Sequence, residues 1–169
     1  MQSSANVTFR STYGLLLTFA AVAVIQPLTV HAGAPAFGPV GPLSDKAPTS
    51  AQLCAWLPVA KVNALLHTTR TEDTSVNNKC TYASKSAADI QFEASQFKSV
   101  VALTKWIGKQ GGKTLPSPAG ILLYSLGFDM VKGKVSGAWF VSHGSPVELE
   151  FSDGRDDKDA VLAVVAAAK

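Results

Sequence analysis

Few residues in this chain have the type and spacing to do chemistry. Its two cysteines are Cys54, in "LCAWLPVAKVNALLH", and Cys80, in "CTY". A thiol pair can run redox exchange, supply half of a metal site, or bond to itself. Redox motifs place the pair as C-x-x-C, and these two are separated by a helical segment and a polar loop. A zinc site needs two further close ligands, for which the chain beyond residue 32 offers the imidazoles His67 and His143. In an exported chain an even cysteine count reads as a disulfide, because nothing outside the cytoplasm keeps thiols reduced. A bridge closing such a loop contributes roughly 3 kcal/mol, mainly by restricting the unfolded chain.

"SHGS", Ser142 to Ser145, sets a histidine between serines. Neighbours at a hairpin tip do not give serine–base–acid geometry, and no G-x-S-x-G occurs, so a plain turn is the expected reading. "DGRDDKD" is acidic but lacks the D-x-D-x-D-G order and distal glutamate of a calcium loop, so helix capping is expected. His67 ends a helical stretch, where a cation suits the helix dipole.

Alternation in "DIQFEAS" and "PVELEF" puts Ile90, Phe92, Val147, Leu149 and Phe151 on one sheet face. Gln91, Glu93, Glu148 and Glu150 point the other way. The strand "GAWFVSH" is apolar on both sides, so one of its sets must join those carboxylates. Trp139 and His143 are the expected members, since Phe140 suits a core and tryptophan suits interfaces. Trp106 falls about 120° from the centre of the Val100–Leu103–Ile107 helical stripe, at 100° per residue. The candidate binding surface is therefore Trp106, Trp139, His143, Glu93, Glu148 and Glu150, edged by Lys105, Lys109 and Lys113. The alternative is that the tryptophans are peripheral core. Glu148 and Glu150 project about 7 Å apart by strand rise, within the carboxylate separations of inverting glycosidases, though solvated glutamates give the same pattern. No catalytic residue, metal or cofactor is assigned.

The elements that position these residues follow from periodicity. "TSAQ" at Thr49 to Gln52 has the form of a capping box opening a helix, and Pro58 suits the start of a second piece, "PVAKVNALLH". "TTRTEDTSVNNK" reads as loop. "CTYAS" and "DIQFEAS" form a hairpin, followed by a helix near Lys98 to Lys109. "KTLPSPAG" reads as loop, and "ILLYSLGFDM" (Ile121 to Met130) as either an edge strand or a short buried segment. "GAWFVS" and "PVELEF" make a second hairpin. The last helix carries Asp156, Asp157 and Asp159 in its first turn, where the dipole favours negative charge. The expected fold is α+β: an N-terminal helix plus two ββα units, giving a four-stranded antiparallel sheet with helices packed on one face.

The N-terminus bears on the compartment. Arg10 precedes the apolar run "GLLLTFAAVAVI", and Val30 and Ala32 are small residues at the −3 and −1 positions before Gly33. That pattern is a secretory signal peptide over 1–32. The run is shorter than the roughly 20 apolar residues of a spanning helix, so no integral membrane segment is expected after cleavage. Gly33 stands where a lipoprotein would carry cysteine. Residues 33–48, with four prolines and three glycines, read as a flexible arm, leaving 49–169 as one disulfide-clamped domain. A net charge of +3 with scattered lysines argues against nucleic-acid binding.

The sequence also resembles a family of small exported bacterial envelope proteins of unknown function, many of them lipoproteins. The matching residues are Cys54, Trp56 and Leu57, the helix through Val62 to Leu66, then Cys80 with Tyr82; "LGFDM" is similar to a late glycine-containing segment. The chain departs in lacking a lipid-anchor cysteine and a glycine closing the first helix. The resemblance implies a disulfide between the two cysteines and an α+β fold, and supplies no activity.

These readings converge on a periplasmic or secreted protein, more a non-enzymatic binding module for a protein or envelope component than an enzyme, with an inhibitor or immunity role as one form. The alternatives are a hydrolase using the open-face carboxylates and a carrier of a small ligand or metal through His67 and His143.

Overall fold

Thr49 opens the first helix as expected. Its hydroxyl accepts from the Gln52 amide at 3.3 Å, and the Gln52 side chain accepts from the Thr49 amide at 2.9 Å. The computed structural model describes residues 43–152 and 158–169. Residues 1–32, expected to be a signal peptide, the first part of the expected arm, and Asp156 and Asp157 lie outside them. In chain order the elements are α1 (Ser50–Trp56), α2 (Val59–Leu66), β1 (Thr71–Asp73), β2 (Lys79–Ala83), β3 (Ile90–Ala94) and α3 (Val100–Lys109). Then come β4 (Lys113–Leu115), β5 (Ile121–Ser125), α4 (Gly127–Lys132), β6 (Gly137–Ser142), β7 (Ser145–Phe151) and α5 (Lys158–Ala167).

The α+β class holds, but the four-stranded sheet does not. The strands form one seven-stranded antiparallel sheet in the order β1-β2-β3-β7-β6-β5-β4. Two of the additional strands, β1 and β4, are three-residue edges lying in stretches read as loop; the third, β5, resolves the ambiguous start of "ILLYSLGFDM". Every residue of β5 is buried, so its side chains leave no alternation to read.

The helices do not all lie on one face either. Leu53 of α1, Val62 of α2 and Val161, Val164 and Val165 of α5 pack with Ile90, Phe92, Phe140, Val147 and Leu149 in the larger core. Rings of Phe92 and Phe140 sit 6.0 Å apart within it. On the opposite face, Leu103 and Ile107 of α3 bury Leu122, Tyr124 and Trp139 in a second core. A strand that is apolar on both sides needs two covers, and α3 is the second.

The β6–β7 hairpin turns on His143 (φ 49°) and Gly144 (φ 76°). Positive φ at both central residues is the backbone that matches the right-handed strand twist in a two-residue turn. Beside this tip, the Ser44 amide donates to the Gly144 carbonyl at 2.8 Å, and Pro48 is buried.

Candidate functional site

The second sheet face is divided. α3 packs on β4 and β5 at one side. Over β2, β3 and β7 the side chains remain half-exposed or exposed: Lys79, Thr81, Gln91, Glu93, Glu148 and Glu150. Strand register brings the acids together, since Glu93 stands opposite Glu148 and Gln91 opposite Glu150. Like charges directly opposite repel. Lys79 offsets part of this, with its ammonium 2.8 Å from Glu93 and 2.6 Å from the Gln91 amide oxygen.

Glu148 sits where this polar half meets the core under α3. Its Oε1 accepts from the Ser95 hydroxyl, and the Tyr124 hydroxyl lies 3.5 Å from its Oε2. Trp139 Nε1 donates at 3.1 Å to both Ser95 Oγ and the Phe97 carbonyl. Burial pushes the Glu148 carboxyl above the usual carboxylate range; the Ser95 hydrogen bond opposes this and the Glu93 charge adds to it. The Glu150 carboxyl is also raised, by partial desolvation first and then by Glu93, with Lys79 opposing. Burial likewise raises the Tyr124 phenol, keeping it a neutral donor.

Glu93, Glu148, Glu150 and Trp139 thus share a face, as the alternation required. The face is not open at Trp139, however, which is 1% exposed beneath α3. Trp106 is half-buried against the same core, 5.4 Å from Phe97. His143 does not join Trp139 either. The tight turn carries its ring onto Trp56 of α1, with centroids 4.6 Å apart and planes within 9°. Trp56, which enters the sequence reading only through the family resemblance, is not among the surface candidates there, because its partner lies across the fold at a hairpin tip.

Ser142 Oγ and His143 Nδ1 are 3.0 Å apart, but Ser142 is fully buried and its hydroxyl donates to the Ala168 carbonyl. That proton is committed to structure, and the pair is not a nucleophile with its base. His67 closes α2 in the left-handed conformation (φ 50°), exposed. Three cavities among the described residues, of about 610, 170 and 50 Å³, are lined by residues other than the acid trio. The largest opens beside Thr71, Ser84 and Lys85 at the β1–β2 end of the sheet. The smaller two flank Ser44–Pro48.

Cys54 and Cys80 form a disulfide with Cα atoms 5.4 Å apart, joining α1 to β2. The Glu72 carboxylate reaches within 4.8 Å of their sulfurs. Among the described residues this is the metal-competent set, and neither His67 nor His143 belongs to it. With both sulfurs bonded to each other, only one carboxylate of the three is free to bind. No described helix is long and apolar enough to cross a membrane. Comparison with protein-family models, with curated proteins and with solved structures returned no match.

Proposed function

We infer that this is an exported, non-enzymatic binding module whose recognition surface is the uncovered carboxylate half of the sheet, and that its partner presents basic groups there. The observation carrying this is the divided second face. One half is sealed by α3, while Glu93, Glu148 and Glu150 gather on the other with Lys79 as their ion-pair partner. Three acids held together against their own repulsion are relieved by an incoming cationic surface. The internal disulfide is of the kind commoner outside the cytoplasm. It supports the export read from the N-terminal sequence and the periplasmic or secreted location.

The surface differs from the one expected of the sequence. Trp139 and Trp106 belong to its foundation, so the test uses Glu93→Lys with Glu150→Lys. Affinity capture from an envelope fraction should lose its salt-sensitive partners in that variant and keep them in the native chain. Equal recovery from both overturns the reading.

A further inference from the structure

We propose that Cys54, Cys80 and Glu72 form a zinc–thiolate site when the disulfide is reduced, so that the α1–β2 clamp has a covalent form and a metal-held form. The three donor atoms lie within 4.8 Å of one another. Two Zn–S bonds of about 2.3 Å at the tetrahedral angle hold sulfurs about 3.8 Å apart, so the bonded pair must part on reduction, while the carboxylate oxygen has to close in only slightly. The Cα separation of 5.4 Å keeps the two cysteines side by side, so that side-chain rotation is what has to turn both thiolates to one metal. The two cysteines are buried, and Glu72 is exposed on the edge strand β1. Soft sulfur donors are thus held by the core, while the third ligand and a water in the fourth position face solvent. Two thiolates with one carboxylate favour zinc over calcium or magnesium, which take oxygen ligands.

The chemistry balances with a dithiol as reductant, which has to be delivered to the protein because an exported chain's surroundings do not themselves keep thiols reduced. It delivers two electrons and two protons, the S–S bond breaks, two S–H bonds form, and the reductant leaves as its own disulfide. Zinc then displaces both thiol protons as two Zn–S bonds form, so binding strengthens with rising pH. Glu72 was invisible as a ligand in the sequence, where it sits in a polar stretch with no motif spacing to either cysteine. The antiparallel pairing of β1 with β2 sets it opposite Tyr82, two residues from Cys80.

The test is a zinc titration of the full chain, reduced with a dithiol, desalted without oxygen and set in competition with a chromophoric chelator. One equivalent of zinc is expected to bind, to protect both thiols from alkylation and to raise the unfolding midpoint of the reduced protein. Glu72→Gln should weaken binding by about tenfold or more, since even outer-shell partners are worth roughly 10–100-fold. Its oxidised form, unfolding like the native protein, checks that the substitution spares the fold. Cys54→Ser with Cys80→Ser should bind no zinc. Should reduction loosen the chain, circular dichroism should show zinc restoring the native chain and not Glu72→Gln. Zinc binding no tighter than in the double serine variant overturns the proposal, as does equal binding by Glu72→Gln. None of these readouts involves the partner on the carboxylate face.

Discussion

The ring of Tyr124 lies across Gly137, so close that a Cβ at residue 137 would stand 2.5 Å from its hydroxyl oxygen and 2.6 Å from Cζ. The two residues are register partners on β5 and β6. The missing side chain on β6 opens the way for the β5 phenol to reach Glu148 on β7. Gly137→Ala should therefore push the ring off its seat and cost about 1–3 kcal/mol, as overpacking does. Adding Tyr124→Phe should recover only part of the loss, because Cζ still clashes. Urea unfolding of the single and double variants measures both.

Trp139 should behave as a core residue with one polar duty. Replacing it by alanine should cost about 3–5 kcal/mol, enough to threaten folding. Trp139→Phe keeps ring volume but removes the donor shared by Ser95 and the Phe97 carbonyl, adding roughly 1–3 kcal/mol for the unmade bonds. Thermal unfolding of the two variants should separate volume from hydrogen bonding.

Acidification below neutrality should at first stabilise this contact. Glu148 has a folded pKa above its ordinary value of 4.5, so between those two values the folded state binds more protons than the unfolded. Stability from this group then falls as pH rises through the folded pKa, and grows as pH falls toward 4.5. Glu148→Gln should be more stable than the native protein at pH 7, and should lose this pH dependence. Denaturant midpoints of both proteins across pH 5 to 7.5 supply the comparison.

Breaking the clamp should weaken the fold without abolishing its sheet. The bridge spans a sequence separation of 26, and its removal by paired alanines should cost roughly 3 kcal/mol. Hydrogen exchange should rise most in α1, which loses its covalent tie to β2.

Much of the outline was legible because periodicity reports burial. Thr49, the Val100–Leu103–Ile107 stripe of α3 and the alternation through Ile90 and Phe92 specify their elements locally. The edge strands were not legible, since Thr71–Asp73 is fully exposed and Lys113–Leu115 has only partial cover. Such strands are made by pairing with a neighbour, which no local pattern encodes. "GAWFVS" did carry the signal for a second helical layer. An apolar set on both faces leaves Trp139 either a recognition surface or peripheral core, and the chain supplies α3 as a cover that makes it core. Of the candidate site, the acids were placed by alternation alone. The Trp56–His143 stack and Glu72 beside the disulfide arise from tertiary packing and from strand register.

The seam between β3 and β7 has a kinetic meaning. β1-β2-β3 is one meander and β4-β5-β6-β7 another, and their strands are joined through the five residue pairs from Ile90↔Phe151 to Ala94↔Val147. Each meander closes short loops, whereas this seam joins segments more than fifty positions apart, a slower kind of pairing. Docking of the N-terminal and C-terminal halves is therefore expected to come late in folding, which hydrogen-exchange labelling during refolding would check. The Cys54–Cys80 bond lies wholly within the first, so it can form before the second half has arrived.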